Sequence, residues 1–264
     1  IRQRVSPISW VLVYHHIYPG LRNLPFLNVS PGDFEKQIKF LLTRNYKIIS
    51  LSEMIEYFKE KGKPPSRAVV ITFDDGFKNN YLYAYPILRK YNLPATIFLT
   101  TGFIKGGTKC VSFSPTWKKI FQEFPQSALP LSWDEVRVMG KNGIDFGAHT
   151  ISHPHLLKLS YDEAREEIIQ SKKEIEEKIG KEVKYFSYPY GEYNERIIEF
   201  VKEVGFTCVL STNCSPFSKK TSIWEIGRID GAGVLNFPYF GALLSGFVTD
   251  FKGLFRINRE NRRK

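Results

Sequence analysis

The sequence predicts an α/β fold in which parallel strands alternate with helices and, at seven or eight such units, close into a barrel. Three observations point there. Short β-rich runs of four to six residues recur along the chain, mostly without polar alternation, which is how strands covered on both faces read. Helical patterns separate them in repeated β-then-α order with short loops, the arrangement that gives a parallel sheet. No Ser- or Pro-rich linker divides the 264 residues and no repeat of fixed period is visible, so a single domain is expected; α/β barrels routinely reach this length as one unit.

The expected strands are residues 10–14, 47–50, 68–73, 95–100, 144–148, 184–188, 207–210 and 225–229. The first, ending Val11-Leu12-Val13-Tyr14, runs straight into two histidines, so it reads as a strand and not as the core of a signal peptide. Helical candidates lie at 31–45, 51–61, 79–91, 133–142, 161–179 and 194–204. The clearest is 161–179. Ser160 and Glu163 form a capping box, Ile168, Ile175 and Ile179 fall on one stripe, and Gly180 supplies the stop. Residues 101–132, with Gly106-Gly107, Pro115, Pro125 and Pro130, read as an excursion from the barrel, as do 231–264.

Composition narrows the class. With 42% apolar residues, 21 Phe and 14 Tyr the chain is globular, which excludes a disordered protein. The formal charge is +11, and the surplus gathers in the tail from Arg256 to Lys264, a stretch suited to peripheral contact with an anionic envelope surface. Nucleic acid is the obvious alternative partner, but the interior mixes both signs and carries no RNP, zinc-finger or helix-turn-helix signature, so none is expected. No stretch approaches the roughly 18 apolar residues of a membrane span. The chain starts at Ile1, which leaves room for an upstream segment removed from a precursor. Cys110, Cys208 and Cys214 cannot all pair and lack metal-ligand spacing.

Functional groups on a parallel barrel gather at the C-terminal ends of its strands. Three expected strands finish in residues costly to bury without a reason: Tyr14-His15-His16, Thr72-Phe73-Asp74-Asp75-Gly76, and Gly147-Ala148-His149-Thr150-Ile151-Ser152-His153. A fourth finishes in Tyr188-Pro189-Tyr190-Gly191. Adjacent carboxylates repel unless a cation or a proton intervenes, although Asp-Asp-Gly is also ordinary turn chemistry. His149 and His153 have a familiar ligand spacing, but Thr150 stands where a zincin protease would have Glu. All five histidines lie at just two strand ends. One Asp with two His makes a facial set of three ligands that leaves positions open for water and substrate. A divalent ion so held brings the pKa of its water to about 7, and the second carboxylate then has a role as general base.

These motifs, in this order, closely resemble the polysaccharide deacetylases of carbohydrate esterase family 4, the NodB-homology domain, over roughly residues 8–230. The resemblance implies a distorted (β/α) barrel of about seven strands, with 231–264 as a C-terminal extension. It also implies a divalent ion, Zn²⁺ before Co²⁺ or Ni²⁺, and hydrolysis of N-acetyl groups on an N-acetylglucosamine-containing polysaccharide. By position it makes Asp74 the catalytic base, Asp75, His149 and His153 the metal ligands, and the Tyr190 backbone N–H a donor to the oxyanion. Secretion or a place in a bacterial envelope follows from the resemblance as well.

Two departures stand out. Many members open the third motif with an Arg that steadies the base; the residue here is Ser187, and Arg228, at the end of the last expected strand, is the candidate replacement. Many also use a late His as general acid, and no histidine follows His155. Both departures, with the early Tyr14-His15-His16-Ile17, resemble the subgroup of poly-N-acetylglucosamine deacetylases, which implies that His15 binds substrate or donates a proton. His16 and His155 read as bystanders. Trp117, Trp133, Tyr190 and Tyr193 are candidates for stacking on sugar rings.

Other classes compete on the same residues. A non-haem iron oxygenase shares the two-His-one-carboxylate set but is usually built on an antiparallel barrel, and Asp74 would have no role in it. A glycosidase needs two carboxylates about 5 to 9.5 Å apart across the sugar, which neighbours diverging from one strand end do not naturally give. A carbohydrate-binding protein that has lost turnover would gain nothing from a base beside a metal. The glycan itself stays open among poly-N-acetylglucosamine, peptidoglycan and chitin oligosaccharides.

Overall fold

In the computed structural model, which describes residues 8–19, 28–110, 113, 115–232, 240–241 and 244, the apolar runs β1 (Trp10–Tyr14) and β5 (Ala68–Phe73) lie side by side, parallel and buried along their whole length. Between them come the short pair β2 (His16–Ile17) and β3 (Asn28–Val29), which form their own two-stranded sheet, and β4 (Lys47–Ile48). After them follow β6 (Ala95–Leu99), β7 (Ile144–Ala148), β8 (Tyr185–Ser187), β9 (Cys208–Leu210) and β10 (Ile229–Asp230). The main sheet is parallel in the order β10-β1-β5-β6-β7-β8-β9.

The distortion has a readable cause. β5 pairs its first two residues with β4 and only Thr72 and Phe73 with β6, so β4 wedges the two long strands apart at their N-terminal ends. On the far side, Ile226 bridges Leu210 of β9 while Ile229 and Asp230 pair with β1, so one bent segment spans the remaining gap. The architecture is the expected distorted (β/α) barrel, a curled parallel sheet of seven strands in sequence along its path.

Strand residues point alternately to two sides, and the core divides accordingly. Val69, Ile71 and Phe73 join the large cluster under the helices, whereas Ala68 and Val70 join a second cluster with Val11, Phe98, Tyr185, Cys208, Leu210 and Ile226, the barrel interior. Leu51, Met54 and Ile55 of α2 (Leu51–Lys61) belong to that second cluster and close the interior at one end. Asp74, Ser187 and Arg228, all buried, lie at its other end.

Helices follow their caps. α1 (Pro31–Thr43) starts at Ser30, whose hydroxyl accepts the Asp33 N–H, and α2 stops at Gly62 in the left-handed region. In the expected 79–91 helix, Pro86 has no N–H to donate; the preceding turn, Asn80–Ala84, widens so that the Tyr85 N–H reaches the Asn80 carbonyl before α3 (Tyr85–Lys90) begins. α6 (Trp133–Gly140) and α7 (Tyr161–Ile179) both open on complete capping boxes, the second being the expected Ser160 and Glu163, and Gly180 ends α7 with φ of 67°. α8 (Glu195–Glu203) is capped by Asn194.

Residues 101–132 carry structure that the pattern of prolines and glycines concealed: α4 (Thr101–Gly106) and α5 (Pro115–Glu123). Their aromatic residues, with Phe77, Phe113 and Phe121 at the centre, make a separate small core against the barrel. β2 and β3 were equally hidden, being two residues each. Of the expected C-terminal extension, Phe240 and Leu244 are buried, and the Trp10 indole donates to the Leu244 carbonyl at 3.0 Å. The basic tail lies outside the described residues. Among those described, no helix is long and apolar enough to cross a membrane.

Gly147 of β7 is where two strands and a ring meet. A Cβ there would sit 2.5 Å from the Phe98 ring and 2.9 Å from the Tyr185 carbonyl oxygen. Gly147→Ala should therefore cost roughly 1–3 kcal/mol by overpacking. The check is the denaturant midpoint, which should fall at unchanged slope.

Candidate active site

Four strand ends bring the candidate residues together. At the end of β5 the ladder continues for one residue, the Asp74 N–H donating to the Tyr14 carbonyl at 2.9 Å. The next two residues, Asp75 (φ 72°) and Gly76 (φ 81°), are left-handed, and the chain turns away sharply. Asp tolerates this region better than most side chains. Asp74 and Asp75 consequently point apart, and each meets different partners.

Asp74 faces Arg228. The guanidinium grips it at both oxygens, Nη1 to Oδ1 at 2.8 Å and Nη2 to Oδ2 at 2.6 Å. Its other donors go to Thr72 Oγ1 (3.3 Å), Ser187 Oγ (2.8 Å) and the Ser211 carbonyl (3.0 Å), so all five N–H groups of Arg228 are used. Ser187 Oγ also donates to Asp74 Oδ2 at 3.3 Å. Arg228 is 1% exposed. Burial alone would raise the Asp74 pKa, but the charges of Arg228 and His149 and the Arg228 hydrogen bonds outweigh it and hold the carboxyl well below the usual range.

Asp75 faces the two histidines. His149 Nδ1 lies 2.7 Å from the Ser187 carbonyl, which can only accept, so Nδ1 carries the hydrogen and Nε2 presents a lone pair. That Nε2 is 3.6 Å from Asp75 Oδ1 and 3.9 Å from Asp74 Oδ2, and His153 Nε2 is 3.5 Å from Asp75 Oδ1. Burial lowers both imidazole pKa values, and it raises that of Asp75 with help from the Asp74 charge. Asp75 Oδ1 and His153 Nδ1 are buried without a hydrogen-bond partner. The His149 lone pair aimed at a carboxylate oxygen gains nothing from it. A cation between them would satisfy all three, and one donor atom from each of Asp75, His149 and His153 lies within 4.8 Å of the others. The donor set fits a divalent metal, with two nitrogens and one oxygen and room for further ligands.

The loop from His149 to His153 is not helical. Thr150 (φ 68°) and His153 (φ 54°) are both left-handed, a strain of order 1–3 kcal/mol each. Their hydrogen bonds offset it: the Thr101 N–H donates to the Thr150 carbonyl at 3.2 Å, the Gly102 N–H to the Ile151 carbonyl at 2.8 Å, and the His153 N–H to Thr150 Oγ1 at 3.1 Å.

Tyr190 also has positive φ (58°), within the Pro189–Gly191 turn, and its carbonyl accepts from Thr212 Oγ1 at 3.2 Å. Gly191 is obligatory, because a Cβ would lie 2.0 Å from Thr212 Oγ1. The Tyr190 ring stands edge-on to His153 at 4.6 Å and stacks on His155 at 4.0 Å. Burial and the charges of Asp75 and Glu192 push its phenol up to about 12.

The two early histidines separate. The charge of His15 bears on both Asp74 and His153. His16 turns away into the aromatic core, stacked 4.7 Å from Trp117, with Nδ1 3.0 Å from Asn79 Nδ2. His155 stays outside the donor cluster and pairs with Glu192 at 3.0 Å. Of the aromatics expected to stack on sugar, Tyr190 is exposed, whereas Trp117, Trp133 and Tyr193 are half-buried. Ser211, whose carbonyl accepts from Arg228, carried no signal in the sequence, and the part of Ser187 and Thr72 in holding Arg228 was not readable there.

Comparison with known proteins identifies a family. A family model described as polysaccharide deacetylase matches residues 61–209. A poly-β-1,6-N-acetyl-D-glucosamine N-deacetylase of Staphylococcus aureus is 28% identical over 235 residues, covering 86% of this chain and 75% of the relative. Among solved structures, the Streptococcus pyogenes deacetylase PplD in complex with acetate has a TM-score of 0.72 at 24% identity, over 86% of this chain and 93% of the other. IcaB from Ammonifex degensii has a TM-score of 0.73 at 21% identity, over 90% of this chain and 97% of the other. At these identities the structures speak to the fold.

Calorimetric titration with Zn²⁺ should show that Asp75→Ala, His149→Ala and His153→Ala each weaken binding by more than about 100-fold, since loss of a group that merely orients a ligand typically costs about 10–100-fold. Asp74→Asn should stay within about tenfold. Arg228→Gln leaves Asp74 buried and ill-matched, so thermal or denaturant unfolding should show a loss of roughly 3–5 kcal/mol.

Proposed function

The chain belongs to the polysaccharide deacetylase family, an enzyme family of de-N-acetylases, and from that premise we propose that it is a metal-dependent hydrolase removing N-acetyl groups from an N-acetylglucosamine-containing polysaccharide. One observation carries the reading: a carboxylate clamped by a buried guanidinium lies 3.9 Å from an imidazole nitrogen that faces, with its partner, an unpartnered Asp75 oxygen.

Asp75, His149 and His153 would hold the ion. When bound, a divalent cation supplies Lewis acidity, polarising the acetamide carbonyl and lowering the pKa of a water to about 7. Asp74 takes the proton from the attacking water. The Arg228 clamp makes Asp74 a weak base, always ionised near neutral pH and therefore always ready, and for the same reason a strong acid once protonated. That proton, or one carried by His15, neutralises the leaving amine. The Tyr190 backbone N–H donates to the oxyanion as the carbonyl carbon becomes tetrahedral, where charge develops that the ground state lacks. Acetate and a free glucosamine amine are the products. The Tyr190 ring beside His153 offers an apolar face to the sugar.

A β-1,6-linked polymer is the first substrate to test, because the S. aureus relative is named for it. Acetate release should be measured on β-1,6-linked, chitin-derived and peptidoglycan-derived oligosaccharides with added Zn²⁺, Co²⁺ or Ni²⁺. Chelation should abolish it and added metal restore it. Asp74→Asn should reduce turnover by about 10²–10⁴-fold, the usual contribution of a general base. Full activity in that variant would remove Asp74 from the chemistry.

A further inference from the structure

His149 and His153 belong to a loop, so no regular backbone geometry aims their rings at one point. Halfway between them, Ile151 and Ser152 are held by a single side chain from another element. Glu167, on α7, accepts the Ile151 N–H at 2.8 Å and the Ser152 N–H at 2.9 Å on Oε2, and the Ser152 hydroxyl at 2.7 Å on Oε1. Three charge-assisted bonds from one carboxylate are strong and directional. They bind the loop from below, opposite the bonds from Thr101 and Gly102 of α4 that hold the Thr150 and Ile151 carbonyls.

Resting on the functional reading above, we propose that Glu167 is a positioning residue that sets the paired-imidazole geometry of the metal site. It touches neither the ligand atoms nor the place where a substrate would react. Its effect passes through the loop: two adjacent N–H groups fixed on one carboxylate leave the strained conformations of Thr150 and His153 little freedom, and those conformations decide where the rings point. The α7 capping box at Ser160 and Glu163 places Glu167, the seventh residue of the helix, about two turns inside an element whose start is itself pinned. Loss of the carboxylate should leave the barrel folded and the three ligands present, but less well gathered.

The test reads the metal and not turnover. Zn²⁺ affinity by calorimetry and the visible absorption of the Co²⁺-loaded chain are measured for the wild type, Glu167→Gln, Ser152→Ala and the exposed neighbour control Glu166→Gln, each shown by far-UV circular dichroism to be folded without metal. Glu167→Gln should bind Zn²⁺ about 10–100-fold more weakly, the range for groups that orient ligands, with a shifted Co²⁺ spectrum. Ser152→Ala, which removes one of the three bonds, should show a smaller loss in the same direction and decides the matter if Glu167→Gln does not fold. Glu166→Gln should match the wild type. Wild-type affinity and spectrum in both Glu167→Gln and Ser152→Ala would overturn the proposal and leave the functional reading standing. A wild-type chain that takes up neither ion would overturn both.

Discussion

Two neighbouring carboxylates, Asp74 and Asp75, are buried at the mouth of an apolar barrel, and the site is arranged around making that tolerable. Neither can be left as a bare anion there, because an unpaired buried charge costs several kcal/mol even after relaxation. The solution is asymmetric. Asp74 receives a fully engaged guanidinium, while Asp75 is turned through a left-handed backbone toward two imidazoles with which it could share a cation. Their pKa values move in opposite directions accordingly, because Arg228 outweighs burial at Asp74 whereas burial and the neighbouring carboxylate act together at Asp75.

Backbone strain is concentrated where these groups diverge. Of the seven non-glycine residues with positive φ among those described, four are Asp75, Thr150, His153 and Tyr190, while Asn45, Arg67 and Asn92 lie elsewhere. Thr is branched at Cβ and ill suited to that region, so its place beside His149 reflects a demand of the loop and not a local preference. Bonds from neighbouring segments brace three of them, the Thr100 N–H on the Asp75 carbonyl, the Thr101 N–H on the Thr150 carbonyl and the Thr212 hydroxyl on the Tyr190 carbonyl, while Glu167 of α7 holds Ile151 and Ser152 just before His153. The parts between the strands thus serve the site as much as the strands do. The aromatic core of 101–132 acts similarly, with Phe113 stacked 6.3 Å from the His153 ring and Trp117 taking His16 out of the site.

The guanidinium that steadies Asp74 comes from a residue far along the chain. Ser187 supplies a hydroxyl that bonds both Asp74 and Arg228. Arg228 arrives from the bent segment between β9 and β1. The same segment closes the barrel, so ring closure and neutralisation of Asp74 depend on one stretch of backbone.

Much of this was legible in the amino-acid order. Continuous apolar runs ending abruptly in Asp, His or Tyr identified the strands and their functional ends, because burying a polar group at such a place needs a reason. The capping box of α7 and the stop at Gly180 are local hydrogen bonding and appear in the sequence as such. The two-residue strands β2 and β3, the widened turn before Pro86 and the helices within 101–132 are stabilised by contacts to the barrel and left no periodic trace. The amino-acid order by itself determined the alternation of β and α and the set Asp74, Asp75, His149 and His153. Only the tertiary structure decided which carboxylate meets Arg228 and which meets the imidazoles, since that choice depends on left-handed turns and on partners 74 to 154 positions away along the chain.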